Sequence, residues 1–292
     1  MKRFSSISKN NNIKSIAIGK FDSMHLAHKY ILDKLDESGI VLLIKMPPNL
    51  YGFMLPYNKR QNYSKNEIYY IDFYEISNLS GIEFLKMLKD RLPNLEHIIV
   101  GSDFRFGKDR AYGAKDIENI SNFAVTIIGE KSIDGIPIHS SYIKKYLLEG
   151  DIKLANKLLG RFYCIEGEVV RGQGIGSDLL FPTINIKADV YVLPHDGVYA
   201  TYTKINDEIL KSISFLGHRF STDMSFAIET HIIDKNIKNP PNTLEIYFVE
   251  KIRDNQKFAS FAVLKEQIIN DINIAKNILN TQNLLDSPEQ VK

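Results

Sequence analysis

Short apolar runs alternate with helix-patterned segments along the first half of the chain. The runs occupy residues 16–18, 39–44, 68–73, 97–100 and 123–128. Near-continuous apolar runs of this length are typical of strands that are buried on both faces of a parallel sheet. Between two of them, Ser80–Leu92 has Phe84, Leu85 and Leu88 at helical spacing on one side. The alternation predicts a doubly wound α/β domain, whose ligands bind beyond the carboxyl ends of the strands.

Two short helices are predicted to follow, over residues 140–159. Gly150 is a residue type that ends helices, Asp151 is a good N-cap for the second helix, and Gly160 can end it. The hydrophobic pattern changes after this point, so we place a domain boundary there. The predicted division is one domain over residues 1–159, a second over residues 160–285, and a frayed tail over residues 286–292.

Short strands separated by turn residues make up the second half of the chain. They are predicted over residues 162–170, 198–205, 211–216, 225–233 and 244–252. In the last of them the period of two places four apolar side chains on one face, those of Leu244, Ile246, Phe248 and Ile252. Several short strands with glycine and proline between them indicate a small β-barrel. Apolar residues then recur at helical spacing and predict a final helix over residues 263–279.

Length, charge and cysteine content narrow the class of protein. A chain of 292 residues is long enough for two domains of ordinary size. Its 37 Lys and Arg nearly balance its 35 Asp and Glu, and the net charge of +2 gives no reason to expect nucleic-acid or membrane binding. Cys164 is the only cysteine, which excludes an internal disulfide and a cysteine-based metal site. With no signal-peptide pattern and no apolar run of membrane-spanning length, the sequence predicts a soluble cytoplasmic protein.

The first candidate site lies in residues 15–35, where a strand, a turn at Gly19 and a helix follow one another. His25 and His28 are three residues apart at the predicted first turn of that helix, so they share one face. Free N–H groups at a helix start attract anions, which makes this segment a candidate phosphate site. The alternative is a strand–helix corner in which the histidines only cap or pack.

Two further stretches of the first half carry phosphate-binding residue types. Residues 100–113 follow a strand end and place charged and aromatic side chains between glycines, namely Asp103, Phe104 and Arg105. That mixture suits a planar ligand with a phosphate group, although a solvated loop with anchoring aromatics has the same composition. Ser140 and Ser141 precede Lys144 at a helix start, where the serines either hold phosphate oxygens or act as ordinary N-caps.

The second half contains a candidate metal and base site. Glycines that let the backbone approach a phosphate chain stand at positions 172, 174 and 176, although a glycine-rich surface turn has the same composition. Thr183 and Asn185 are two residues apart, so on a strand they offer a hydroxyl and an amide oxygen to Mg²⁺ on one face. Glu229 lies in the middle of a predicted strand, where it faces either solvent or a ligand cavity.

Together these stretches resemble the bifunctional riboflavin kinase/FMN adenylyltransferase family, the prokaryotic-type FAD synthetases. The family's patterns fall, in the family's order, on residues 19–28, 100–107, 140–144, 180–185, 193–200 and 253–271. The first pattern is G-x-F-D-G-x-H-x-G-H in the family and GKFDSMHLAH here. The family's V-G-x-D-F-R-F-G is VGSDFRFG here, and its kinase motif G-F-P-T-x-N is LFPTIN. The likeness covers nearly the whole chain and is therefore more specific than any single motif.

The resemblance implies a Rossmann-like nucleotidylyltransferase domain followed by a small β-barrel riboflavin kinase domain with a terminal helix. The kinase domain would phosphorylate riboflavin to FMN, with Glu229 as general base and Mg²⁺-ATP placed by Thr183 and Asn185. The first domain would transfer AMP from ATP to FMN and release pyrophosphate, with His25 and His28 stabilising the transferred phosphoryl group. Further nucleotide or flavin contacts are implied at Gly19, Phe21, Asp22, Asp103, Phe104, Arg105, Ser140, Ser141, Lys144, Gly172, Gly174, Gly176, Asn185 and Arg253.

Several residues depart from the family patterns. Ser23 and Ala27 replace two glycines around the histidines, and Leu180 replaces a glycine of the kinase motif. Lys144 stands where the family has arginine, so the charge is kept but a bidentate phosphate contact is lost. Two alternatives stay open, and the departures in the first domain favour only the first of them. One is a riboflavin kinase with a weakened or inactive adenylyltransferase domain, and the other is a non-catalytic regulator that binds flavin or nucleotide.

Overall fold

The structure, a computed structural model, describes residues 1–9, 11–47, 52–171, 181–220 and 224–281. The chain divides into two compact units, Met1–Ser140 and Ser141–Lys292. The predictions made for Gly172, Gly174, Gly176, Leu180 and the tail 286–292 lie outside the described residues.

A six-stranded parallel sheet forms the centre of the first unit. Its strands, in spatial order, are β1 (Lys2–Arg3), β4 (Ile68–Asp72), β3 (Ile40–Lys45), β2 (Ser15–Gly19), β5 (His97–Gly101) and β8 (Ala124–Ile128). Successive side chains of β2 enter two different cores, because Ile16 and Ile18 pack in one cluster and Ala17 packs in another. Both faces of the central strands are thus buried, which explains why their sequences are apolar throughout. The predicted parallel α/β sheet is confirmed.

Short helices and hairpins connect the strands of this sheet. The helices are α1 (Leu26–Leu32), α2 (Phe73–Ile76), α3 (Gly81–Arg91) and α4 (Asp116–Ile120), with 3₁₀ turns at Phe4–Ser6, Tyr57–Tyr63 and Lys108–Arg110. The hairpins pair β6 (Arg105–Phe106) with β7 (Tyr112–Gly113), and β9 (Ser132–Ile133) with β10 (Ile136–Pro137). Helix α3 begins where the pattern predicts, since Ser80 and Glu83 form a capping box. It buries the three predicted apolar residues, Phe84, Leu85 and Leu88.

The two predicted helices between the sheet and the barrel are α5 (Ser140–Glu149) and α6 (Ile152–Leu159). The Asp151 carboxylate accepts the backbone N–H of Leu154 at 3.0 Å and so caps α6. Gly160 ends α6 in the left-handed region, with φ 73°, where glycine carries no steric penalty. Both helix ends therefore follow from local residues, as predicted.

A closed antiparallel barrel forms the centre of the second unit. Its strands, in spatial order, are β11 (Tyr163–Val170), β12 (Ile184–Lys187), β15 (Phe226–Ile232), β14 (Glu208–His218), β13 (Gly197–Ile205) and β16 (Thr243–Arg253). The final helix, α7 (Phe261–Thr281), buries Ala275 and Leu279 in one cluster with Val198 and Ala200 of β13. The predicted barrel with a terminal helix is confirmed. None of the helices in the described part of the chain is long and apolar enough to span a membrane.

The prediction that Ile252 shares a face with Leu244, Ile246 and Phe248 is wrong. Ile252 packs in the cluster that contains Tyr247 and Val249, whereas Phe248 lies outside that cluster. The reason is that the pairing of β16 with β13 skips Val249. Such a bulge reverses the alternation of side chains before Ile252 is reached.

Five buried hydroxyl groups form a closed hydrogen-bonded ring among β13, β14 and β15. Its members, each at most 1% exposed, are Thr201, Thr203, Ser212, Ser214 and Thr230. Thr203 donates to Ser212 at 2.8 Å and Ser214 donates to Thr230 at 3.0 Å. Three further contacts of 2.7–3.0 Å close the ring, so every hydroxyl has two neighbours. A polar group buried in this way is stable because its donor and acceptor capacity are both used.

Candidate functional site

The turn between β2 and α1 presents the two histidines. The chain passes through left-handed backbone at Phe21 (φ 46°) and Met24 (φ 48°) before it reaches the helix. His25 is the N-cap of α1, because its Nδ1 accepts the backbone N–H of His28 at 3.2 Å. The helix therefore begins at Leu26, so His25 directly precedes the first turn and His28 lies in it.

The imidazole rings of His25 and His28 are stacked. Their centroids are 3.6 Å apart and their planes differ by 11°, and Phe21 meets His28 edge-on at 5.1 Å. Since Nδ1 of His25 accepts a hydrogen bond, the proton of its neutral ring lies on Nε2. His25 is 4% exposed and Phe21 is 1% exposed, so the core holds both rings in place. Phe21 thus supports the imidazole pair from inside the unit.

Arg60 holds the histidine turn to the rest of the first unit. Its Nη1 donates to the carbonyl of Lys20 at 2.7 Å, its Nη2 to Asp22 Oδ1 at 2.9 Å, and its Nε to the carbonyl of Leu55 at 3.0 Å. The guanidinium also lies over the ring of Tyr57, 4.1 Å from its centroid. Burial lowers the pKa of Arg60, with Asp22 acting in the opposite direction, and the group stays charged. The sequence carries no signal for this role, because arginine is ordinarily exposed.

Three of the predicted stretches meet at residues 139–140. Asp103 Oδ2, in the loop after β5, lies 3.6 Å from His139 Nε2. Ser23 Oγ, in the histidine turn, lies 3.4 Å from Ser140 Oγ. Because β2 and β5 are neighbours in the sheet, the loops at their carboxyl ends converge. The loops predicted to line one crevice therefore lie close together within the first unit.

Four other residues that are predicted to contact phosphate or flavin lie in the segment after β5 and in α5. Phe104 is half-buried and stacks on Phe106, with the ring centroids 5.7 Å apart. Arg105 is exposed and donates from Nη1 to the carbonyl of Phe104 at 3.0 Å. Ser141 and Lys144 lie in the first half of α5, the serine exposed and the lysine half-buried. Their contribution to a phosphate site stays a prediction.

One row of paired residues crosses five strands of the barrel. The register pairs Asn185 with Glu229, Glu229 with Phe215, Phe215 with Val198, and Val198 with Arg253. Residues directly opposite each other on antiparallel strands share a face, so the row is continuous on one side of the barrel. All five residues line a cavity of about 520 Å³. A cavity of this size suits a small-molecule ligand.

The cavity combines apolar and oxygen-bearing side chains. The apolar ones include Phe215, Phe258, Phe261, Leu264 and Ile268, and the oxygen-bearing ones include Thr183, Asn185 and Glu229. Thr183 is exposed and lies one residue before β12, whereas Asn185 is half-buried on that strand. Their hydroxyl and amide oxygens fit Mg²⁺, which prefers oxygen ligands and keeps waters and substrate phosphates. In the part of the chain that the structure describes, no cluster of three or more His, Cys, Asp or Glu could hold a metal by itself.

Arg219, which directly follows β14, joins two of the three residues predicted to carry the kinase chemistry, Glu229 and Asn185. Its Nε donates to Glu229 Oε1 at 2.7 Å, and its Nη2 donates to Asn185 Oδ1 at 2.7 Å. The same Nη2 lies 2.6 Å from Glu229 Oε1. No sequence pattern predicts this contact. The contact forms because Arg219 follows a strand that pairs with the strand of Glu229.

Arg253, predicted as a cofactor contact, is held by the terminal helix. Its guanidinium contacts both carboxylate oxygens of Asp271 at 2.8–3.1 Å, and Asp271 is 1% exposed. Gln267 donates a further hydrogen bond to the same carboxylate at 2.8 Å. The Arg253 guanidinium lies 5.4 Å from the ring centroid of Phe258. Arg253 therefore lines the cavity and at the same time ties α7 to β16.

The fold and the two sites define a two-domain transferase for small-molecule substrates, and comparisons with known proteins identify its family. The family model of riboflavin kinase matches residues 159–279, and the family model of FAD synthetase matches residues 57–142. The bifunctional riboflavin kinase/FMN adenylyltransferase of Buchnera aphidicola subsp. Schizaphis graminum is 33% identical over 94% of this chain and 96% of its own. The enzyme of that name from Haemophilus influenzae is 28% identical over 91% of this chain and 94% of its own.

A solved structure shares the architecture of the whole chain. This crystal structure, described as a macrolide-efflux protein from Streptococcus pneumoniae, has a TM-score of 0.84 at 25% identity. The match covers 95% of this chain and 98% of that chain. This chain belongs to the bifunctional riboflavin kinase/FMN adenylyltransferase family, with a kinase domain and an FAD synthetase domain. The resemblance seen in the sequence motifs is thus confirmed.

Proposed function

We propose that the barrel unit phosphorylates the ribityl 5′-hydroxyl of riboflavin, with Glu229 as the general base. The observation that carries this proposal is the position of Glu229, paired with Asn185 on the face of β15 that lines the cavity. A general base must reach the proton of the substrate hydroxyl within hydrogen-bond distance, and a carboxylate on the cavity wall meets that need. Such a base typically contributes about 10²–10⁴ in rate.

In this proposal Thr183 and Asn185 hold Mg²⁺ and the ATP phosphates at the polar part of the cavity. The bound metal supplies neutralisation of the phosphate charge. The apolar side chains of α7 and of the segment before it, such as Leu264 and Phe258, suit the flat isoalloxazine ring. Gly172, Gly174 and Gly176 are predicted to cover the phosphates, and they lie outside the described residues.

The first unit, in the same proposal, transfers AMP from ATP to FMN and releases pyrophosphate. The FMN phosphate is the nucleophile, so the protein needs no nucleophile of its own. Its task is to position the two substrates and to stabilise the charge that develops between them. The stacked pair of His25 and His28 lies where the loops after β2 and β5 converge, which supports a role for the imidazoles at the transferred phosphoryl group. The proposed nucleotide or flavin contacts beside it are Gly19, Phe21, Asp22, Asp103, Phe104 and Arg105. Ser140, Ser141 and Lys144 would hold the ATP phosphates.

We also assign the adenylyltransferase activity to residues 1–159 and the kinase activity to residues 160–285. The ranges of the two family models, residues 57–142 and 159–279, support that order along the chain. By compactness alone, α5 and α6 belong with the barrel, since the first unit ends at Ser140. We assign α5 and α6 to the adenylyltransferase domain because Ser141 and Lys144, both in α5, are proposed to contact the ATP phosphates.

The test is one incubation of the purified chain with riboflavin, ATP and Mg²⁺, followed by chromatography of the flavins. Appearance of FMN and then of FAD is the expected result. If riboflavin yields FMN, and neither riboflavin nor supplied FMN yields FAD, the result favours the kinase with an inactive adenylyltransferase domain. Flavin that binds without any turnover of ATP favours the non-catalytic regulator.

A further inference from the structure

The guanidinium of Arg219 lies between the side chains of Asn185 and Glu229. Its Nη2 contacts both Asn185 Oδ1, at 2.7 Å, and Glu229 Oε1, at 2.6 Å. One positively charged nitrogen therefore lies between the amide oxygen proposed as a metal ligand and the carboxylate proposed as the base. Two oxygens that share one cationic neighbour form the kind of environment that a bound metal ion also requires.

The backbone of Arg219 is held independently of its side chain. Its N–H donates to the carbonyl of Ser225 at 2.9 Å, and its carbonyl accepts the N–H of Met224 at 3.2 Å. Among the described residues the guanidinium is bound through side chains, including Ser225 Oγ at 2.8 Å from Nη1. Rotation about the side-chain bonds of Arg219 thus releases Asn185 and Glu229 without any change in the strands.

We propose that Arg219 is an internal cation that Mg²⁺ replaces. In the ligand-free protein the guanidinium satisfies Asn185 Oδ1 and Glu229, and binding of Mg²⁺ with ATP displaces it from the amide oxygen. The inference rests on the proposed function, because it assumes that Asn185 is a ligand of Mg²⁺-ATP. Arg219 acts through Asn185 and Glu229, so it is a positioning residue.

Electrostatic repulsion favours the displacement. A guanidinium and Mg²⁺ that share Asn185 Oδ1 as a neighbour would repel each other strongly at so short a distance. The phosphates of ATP bring negative charge into the cavity and offer the released guanidinium new partners. While Arg219 is in place, its charge also stabilises Glu229 at the cavity wall, where the carboxylate is 23% exposed. The exchange therefore couples opening of the metal site to arrival of the nucleotide.

The first experiment measures the affinity of the protein for Mn²⁺ in the absence of any substrate, and electron paramagnetic resonance gives the concentration of free Mn²⁺. The binding that is lost in Asn185→Ala defines the metal site of the second unit. At that site Arg219→Gln should bind Mn²⁺ roughly tenfold more tightly than wild type, because a competing charge is gone. Arg219→Lys keeps the charge and should stay near wild type.

The matched control is Lys238→Gln, which removes one positive charge from the exposed rim of the same cavity. If Lys238→Gln tightens Mn²⁺ binding as much as Arg219→Gln does, the effect is general electrostatics and the exchange is refuted. If Asn185→Ala binds Mn²⁺ as wild type does, the proposed metal site itself fails. If Asn185→Ala loses the site while Arg219→Gln equals wild type, the exchange alone fails.

A second measurement uses the wild-type chain and does not depend on the folding of Arg219→Gln. The Nε–Hε signal of Arg219 in a nitrogen–proton NMR spectrum is assigned by its absence from Arg219→Lys. Addition of Mg²⁺ and a non-hydrolysable ATP analogue should shift this signal and speed its exchange with water. A signal that stays unchanged while the analogue is bound contradicts the exchange.

Discussion

Asn185 and Glu229 stand directly opposite each other on β12 and β15, and the guanidinium of Arg219 bridges them. Their pairing places an amide oxygen and a carboxylate on one face, because opposite residues in antiparallel strands point the same way. The next residue of β15, Thr230, points to the other side and belongs to the buried hydroxyl ring. One strand therefore supplies a candidate base to the cavity and a polar group to the interior of the barrel.

Replacement of Glu229 by Gln should lower FMN formation by about 10²–10⁴, because an amide cannot accept the proton of the riboflavin hydroxyl. The Gln side chain keeps an oxygen that accepts from Arg219, so the unfolding temperature should change little. Steady-state FMN formation and thermal unfolding measure the two effects. Glu168→Gln, at an exposed glutamate of β11, is the control and should match wild type. Near wild-type turnover of Glu229→Gln would remove Glu229 from the mechanism.

Replacement of His28 by Ala should abolish FAD formation and leave FMN formation intact. His28 stacks on His25 within the first unit, whereas the proposed kinase residues lie in the second. The two reactions are measured separately, from riboflavin to FMN and from supplied FMN to FAD. Glu229→Gln is the reciprocal control, since it should still convert supplied FMN to FAD. Loss of both reactions in His28→Ala would contradict two independent sites.

The two roles of His25 can be separated by a choice of substitution. Asn is a good N-cap and Ala is not, so His25→Asn should be more stable than His25→Ala by about 1 kcal/mol. Both variants lack the imidazole and should lose FAD formation equally. Denaturant unfolding and the assay from FMN to FAD measure these results. If His25→Asn retains full activity, the histidine is a cap and nothing more.

Most of the regular fold follows from patterns that are local in the sequence. The ends of α6 are set by the side chain of Asp151 and by the left-handed backbone of Gly160, both within one turn of the helix. The sheet of the first unit is predictable because its central strands are buried on both faces and therefore apolar throughout. The histidine pair follows from a three-residue spacing at a helix start.

The remaining features depend on contacts between distant parts of the chain. Arg60 donates hydrogen bonds to Lys20 and Asp22, which lie 40 and 38 residues away in the sequence. No local sequence pattern predicts that this arginine is buried. Arg219 reaches Asn185 across 34 residues, through a register that only the closed barrel defines. The predicted face of Ile252 is wrong because a bulge depends on pairing with a neighbouring strand rather than on composition.

Replacement of Arg60 by Met should destabilise the first unit by about 1–3 kcal/mol, because two carbonyls and the partly exposed Asp22 carboxylate lose a buried donor. FAD formation should fall as the histidine turn loosens, while FMN formation stays. Arg3→Met is the matched control, since Arg3 is an exposed arginine with two carboxylate partners and should have a much smaller effect. Denaturant unfolding of each variant, followed with the two activity assays, makes the comparison. Equal effects of the two substitutions would show that burial of Arg60 adds nothing to the turn.

The hydroxyl ring of the barrel should be sensitive to loss of a single member. Thr203→Val keeps the shape of the side chain but leaves Ser212 without a donor and Thr230 with an unfilled bond. A buried group left without its partner costs about 1–3 kcal/mol, so the unfolding free energy should fall by that amount. Thr243→Val, at the exposed start of β16, is the control and should change the unfolding free energy little.

The same substitution also tests whether the ring serves stability or catalysis. Thr230 and Glu229 are successive residues of β15 and point to opposite sides, so opening the ring leaves the cavity face unchanged. Thr203→Val should therefore form FMN at the wild-type rate at temperatures below its own unfolding transition. A loss of rate without a loss of stability would mean that the ring positions Glu229 through the backbone of β15. A loss of stability with an unchanged rate identifies the ring as part of the scaffold that keeps the barrel closed.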